Sequence, residues 1–126
     1  MSGWFDIFRR NLGWLSMPAS KVPACRTYVA ETCKDKATVV FTKDPDAVLD
    51  YKFDWALPLE ADGDKLVSST WIAGDGLTID SSTQEDTYTT VWLSAGNVGK
   101  YVLTNRVTTS WGRTDDRTVY IYVSSQ

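Results

Sequence analysis

The chain has no histidine in 126 residues. That removes the commonest general base and the commonest metal ligand. Ser-His-Asp and Cys-His nucleophilic sites are excluded, and so are zinc sites that use imidazole. Cysteine is scarce as well: Cys25 and Cys33 cannot build a four-cysteine zinc site. No cofactor, no metal and no enzymatic activity are expected. No apolar run approaches the ~20 residues of a membrane span. The N-terminal stretch does not read as a secretory signal, because Asp6, Arg9, Arg10 and Asn11 interrupt its apolar residues. Ser2 stands where a myristoylation pattern needs glycine. The chain therefore reads as cytoplasmic when made, with Cys25 and Cys33 as free thiols in preference to a short-loop disulfide.

What is present is ordinary in amount and unusual in distribution. Hydrophobic residues are 43% and charged residues 23%, the composition of a globular protein of one-domain length. Aromatics reach 13%, with six Trp and six Tyr, which points to a strand-based core, a contact surface, or both. The net charge of -3 hides an asymmetry. Residues 1–37 carry six basic and three acidic side chains, whereas residues 38–126 carry seven and thirteen. A basic arm on an acidic body marks a tail with a partner of its own. The acidic body disfavours nucleic acid, which needs a basic stripe.

Residues 1–40 read as that arm, and residues 41–126 as the domain. Trp4, Phe8, Leu12 and Leu15 follow helical spacing, with Phe5 beside them and Arg9-Arg10 away from the stripe. Ser2 offers a cap, and Pro18 ends the helix at or before Met17. A helix of about four turns is marginal alone, so its aromatic face needs cover. Three covers are open: a groove on a partner protein, the chain's own domain, or a membrane interface. Two arginines give lipid little attraction. The partner groove is the preferred reading, with Trp4, Phe5, Phe8, Arg9, Arg10, Leu12 and Trp14 as its contact residues. Residues 18–37 show no clean period and read as extended or irregular.

From Ala37 the pattern turns to short strands. Leu49, Tyr51, Phe53 and Trp55 alternate with Asp50, Lys52 and Asp54, the period-two signature of a half-buried strand. Val67, Ser69 and Trp71 share one side of the next strand. Thr89, Val91 and Leu93 then alternate with Tyr88, Thr90 and Trp92. Turn residues punctuate the segment at Lys43–Asp46, Ala61–Asp64, Gly74–Gly76, Gly96–Gly99 and Trp111–Arg113. About seven strands with no helix between them exclude parallel βαβ units. They predict an all-β fold: an immunoglobulin-like antiparallel β-sandwich with an N-terminal helical or extended arm. Tyr101, opening the sixth strand, is either a tyrosine-corner residue or a half-buried strand tyrosine.

Several of these runs together resemble a known family. They are Asp44–Trp55 (DPDAVLDYKFDW), Ser68–Trp71 (SSTW), Val91–Gly96 (VWLSAG), Arg106–Ser110 (RVTTS) and Gly112–Thr118 (GRTDDRT). The combination is similar to the phage fiber-tail adaptor proteins, small virion proteins of tailed bacteriophages. The resemblance covers roughly residues 44–123, about two thirds of the chain. It departs where Leu57-Pro58-Leu59 stands in place of a Trp-Leu pair, and it leaves out the arm. It implies an immunoglobulin-like sandwich, a non-enzymatic structural role, several copies per particle, and partners among tail, neck and fibre proteins. Assembly would be in the host cytoplasm and the final location the virion. A capsid decoration protein is the alternative within this class.

Outside that class stands a glycan-binding module, using Trp92, Trp111 or Tyr122. Trp111 falls in an expected hairpin turn, an exposed place for so large an apolar side chain, and is a further candidate contact residue. The acidic pairs Asp44/Asp46, Asp62/Asp64 and Asp115/Asp116 lack EF-hand spacing and read as solvated turn carboxylates. Asp50 and Asp54, four residues apart on a strand, stand ~13 Å from one another. That is too far for a glycosidase pair, so they read as a polar outer face.

Overall fold

A computed structural model describes residues 21–31, 39–60 and 63–125. The expected helix over residues 1–17 lies outside them. Among the described residues, eight strands form two four-stranded sheets packed as a sandwich. They are β1 (Thr27–Val29), β2 (Val40–Lys43), β3 (Leu49–Asp54), β4 (Leu66–Ala73), β5 (Leu77–Gln84), β6 (Tyr88–Ala95), β7 (Gly99–Thr109) and β8 (Thr114–Val123). One sheet runs β1-β3-β6-β5 and the other β2-β8-β7-β4. One helical turn, α1 (Ala56–Glu60), joins β3 to β4. The all-β sandwich expected from the strand rhythm is the fold observed.

The sheets are mixed, which refines the antiparallel expectation. β1 pairs in parallel with β3, and β2 in parallel with β8. Neither pair needs a helical crossover, because β1 and β2 are short edge strands added by the incoming chain. β1 is also the eighth strand. It lies in the stretch expected to be irregular, and three residues are too few to show a period. Tyr28 and Ala30 are nevertheless buried in the core.

The alternation in β3 and β6 holds: Tyr51, Phe53, Trp55, Thr89, Val91 and Leu93 all point inward. In β4 it fails at one point. A bulge between Leu66 and Ser68 shifts the register, so Leu66 turns in and Val67 turns out. Two tryptophans, Trp55 and Trp71, are buried, and Phe53 meets Trp71 edge-on with ring centroids 4.9 Å apart.

Polar side chains enter this core at Thr89 and Asn105. Asn105 of β7 is fully buried. Its Oδ1 accepts from Trp55 Nε1 (3.0 Å) and Thr89 Oγ1 (2.7 Å) in the opposite sheet. Its Nδ2 donates to Ser69 Oγ (2.9 Å) and the Thr70 carbonyl (3.1 Å) on β4.

The two ends of the sandwich differ. At one end the β6–β7 turn passes through Ala95, at φ 64°, and Gly96. Lys43, nearly enclosed at the end of β2, donates to the Ala95 carbonyl at 2.7 Å and the Asp44 carbonyl at 3.0 Å. Burial pushes its pKa down, opposed by Asp44, Asp46 and Asp80. The turn expected at Lys43–Asp46 begins one residue later, because Lys43 is the last inward position of β2. Tyr101 donates its hydroxyl to the Asn97 carbonyl at 2.7 Å, the hydrogen bond of a tyrosine corner. A side chain at Gly76, itself at φ +99°, would press on the Tyr101 ring at 3.3 Å.

This end also receives the incoming chain. Arg26 donates from Nε to the Asp50 carbonyl (2.7 Å) and from Nη2 to Asp50 Oδ1 (2.9 Å). β1 then runs beside β3 toward the opposite end. Tyr101→Phe should lower unfolding free energy by about 1 kcal/mol, the net value of one hydrogen bond. Urea unfolding checks it, with the midpoint moving down and the slope unchanged.

Candidate docking surface at the hairpin end

The other end gathers three connections: the β3–β4 loop with α1, the β5–β6 turn, and the β7–β8 hairpin. Backbone hydrogen bonds hold them together. Trp55 N–H donates to the Thr87 carbonyl, and Leu66 N–H donates to the Asp86 carbonyl, both at 2.8 Å. Asp54 Oδ1 caps α1 by accepting from the Ala56 N–H at 2.9 Å. The turn buries Leu59 and delivers the chain to Asp64.

Asp64 is the clasp of this end. Its side chain is 1% exposed. Oδ1 accepts from Ser110 Oγ (2.6 Å), the Lys65 N–H (2.8 Å) and the Trp111 N–H (3.2 Å). Arg113 Nη1 stands 3.6 Å from Oδ2. Desolvation pushes the carboxyl up. The neighbouring hydroxyls of Ser110 and Thr109 and the Lys65 and Trp111 backbone N–H groups outweigh it and hold the pKa at about 2. The expectation of solvated turn carboxylates is therefore corrected for Asp64, because its loop folds back under the hairpin. Asp44 behaves as a turn residue, accepting the Asp46 N–H at 2.9 Å, and Asp115 pairs with Arg117 at 3.3 Å. Asp62 lies outside the described residues.

What the clasp holds is Trp111. The hairpin closes through the Thr109 N–H to the Arg113 carbonyl (2.8 Å), with Gly112 at φ +84°. Trp111 stands at its tip, 59% exposed, and the Arg113 guanidinium lies 5.1 Å from its ring centroid. A rigidly mounted, exposed indole beside an arginine has the composition of an interface hot spot. Below it, a cavity of about 60 Å³ is lined by Trp55, Pro58, Leu59, Val107 and Asp64, among others. Arg117, nearly buried, lies 5.4 Å from the Trp55 ring centroid and donates to the Glu31 carbonyl at 3.1 Å.

Of the candidate contact residues, Trp111 is exposed as expected. Trp4, Phe5, Phe8, Arg9, Arg10, Leu12 and Trp14 lie outside the described residues. Trp92 is also exposed, on the outer face of β6 between Asp50 and Ser81. The basic neighbour of Asp50 is Arg26 of the same chain. Cys25 is free and exposed, and Cys33 lies outside the described residues. Sequence reasoning missed Asp64, Arg113 and Arg117. Arg117 carried a signal, since it falls in phase with inward Val119, Ile121 and Val123. Asp64, in a turn, carried none.

A family model described as podophage GP4 fiber-tail adaptor protein gp77 matches residues 43–122. No curated protein matches the chain. Among solved structures, the cysteine protease inhibitor EhICP2 from Entamoeba histolytica aligns with a TM-score of 0.46 at 10% identity, covering 78% of this chain and 95% of its own. The PKD domain from KIAA 1837 protein aligns with a TM-score of 0.46 at 19% identity, covering 77% and 89%.

The depressed Asp64 pKa sets a pH window. A carboxyl at about 2 when folded and 3.8 by default stabilises the fold fully above pH 3.8. That contribution disappears as pH falls toward 2. Asp64→Asn should flatten the acid limb of stability between those values, as urea midpoints across pH will show. An unchanged limb would contradict the clasp.

Proposed function

The chain belongs to the podophage fiber-tail adaptor family, and from that premise we propose that it is a two-ended connector in the virion. The family role is structural, within a tailed-phage particle. The finer reading is that the arm docks on one virion component through residues 1–17 while the hairpin end meets another. The observation that carries this is placement. Arg26, where the arm reaches the sandwich, is fixed to Asp50 at the Lys43 and Tyr101 end. Trp111 stands at the far end of the ten-residue strand β8, about 30 Å away.

Charge supports the same division. The arm is net basic and the body net acidic, so the two ends favour different partners. Trp4, Phe8 and Trp14 are the arm's proposed anchors, with Phe5 and Leu12 beside them and Arg9-Arg10 on the flank. Trp111 is the proposed anchor of the sandwich. Tail or neck on one side and fibre on the other are the partners this reading requires, with several copies of the chain in the assembly. No helix among the described residues is long and apolar enough to cross a membrane.

Two particle populations test it in negative stain, one lacking residues 1–17 and one carrying Trp111→Ala. The expected outcome is folded protein in both cases and tails that have lost their fibres. Fragile or unadorned heads would favour a decoration protein. Wild-type particles from both variants would overturn the connector.

A further inference from the structure

The buried carboxylate at the hairpin end has one oxygen satisfied and one open. Asp64 Oδ1 accepts three hydrogen bonds, whereas Oδ2 is buried and accepts none. Its ion-pair partner, Arg113 Nη1, stands beyond hydrogen-bond distance at 3.6 Å. Buried acceptors without donors are rare in folded proteins, and each calls for a physical reason. Here the reason lies next to it. Asp64 lines the cavity of about 60 Å³ whose walls include Trp55, Pro58, Leu59 and Val107.

The chemistry of that cavity selects its occupant. The space exceeds what one water needs and admits the end of a slim side chain. Apolar walls suit a methylene stem, and an ionised carboxylate suits a group that only donates. Lysine has both. A guanidinium presents its donors in a planar fork that matches a carboxylate with both oxygens open, whereas here Oδ2 alone lacks a donor. An acidic group would meet Asp64 and also Asp115 at the rim. Arg113 also lines the cavity; it is half exposed and lies over the Trp111 ring, so an incoming ammonium competes with it for Oδ2.

We infer that this cavity is a socket for a lysine side chain of a partner virion protein. The ammonium completes the hydrogen bonding of Asp64 Oδ2, and Trp111 packs against the partner beside it. The inference rests on the reading of the hairpin as a contact surface, and it adds which side chain the surface recognises.

Titration of the full-length, isotope-labelled protein with n-butylammonium, followed by NMR, tests it. The controls are n-butanol and tetramethylammonium, a cation with no N–H. The expected result is saturable shifts in the millimolar range at Val107, Thr109 and the Trp55 indole N–H, strongest for butylammonium. Asp64→Asn should abolish them. Arg113→Gln, which removes the competing cation, should tighten binding about threefold, the size of an exposed ion pair. Absence of saturable shifts, equal binding of butanol, or unaltered affinity in Arg113→Gln would each overturn the socket. If butylammonium binds while Trp111→Ala particles assemble normally, the socket stands and the hairpin contact falls. Loss of fibres in Trp111→Ala without butylammonium binding gives the reverse.

Discussion

The carboxamide of Asn105 lies between the two sheets with every hydrogen-bonding atom matched. It accepts from Trp55 and Thr89 on one sheet and donates to Ser69 and Thr70 on its neighbouring strand. An amide offers two acceptor and two donor sites, and all four are occupied. Around this Asn105–Thr89 cluster the core is built from apolar side chains such as Phe53, Val91, Leu103 and Ile121. Apolar packing alone is non-directional and tolerates shifts of one sheet over the other. The amide does not, because a shift would leave buried donors without partners. The position of Trp55 follows from it, and Trp55 is also the wall and floor of the hairpin end.

From that fixed point the two ends acquire different characters. At the hairpin end, Asp64 ties the β3–β4 loop to Ser110 and Trp111, so the exposed indole is mounted on a buried carboxylate. A pre-ordered aromatic loses little conformational freedom when a partner covers it, and that raises affinity for a given contact area. At the other end, Lys43 and Tyr101 brace the β6–β7 turn while Arg26 locks the incoming chain to Asp50. Arg26 and Trp111, which border the two proposed contact regions, are both bonded into the sandwich.

Much of the fold was legible in the sequence because period-two alternation is a strong signal wherever one strand face is buried. β3, β6 and β8 were readable for that reason, and Tyr101 and the Trp111 turn followed from local turn chemistry. The parallel edges were not readable. β1 is three residues long, and its pairing depends on where the arm lands. The Val67 bulge was hidden because sequence shows alternation but not a skipped register. Asn105 was visible in principle, as a polar residue in phase with Leu103 and Val107. Its four partners lie on three other segments, which only the folded chain brings together. The candidate site divides the same way. Trp111 was found by its exposure in a turn. Asp64 looked like any turn carboxylate, because its burial comes from the loop folding beneath the hairpin.

Equilibrium urea unfolding of Asn105→Leu, followed by tryptophan fluorescence, tests the central constraint most directly. Leucine keeps nearly the same volume and strips the buried Trp55 and Thr89 donors of their acceptor. Unfolding free energy should fall by about 2–4 kcal/mol, since each stranded group costs ~1–3 kcal/mol. A variant as stable as the wild type, or more so, would show that apolar packing alone sets the sandwich and would contradict the account.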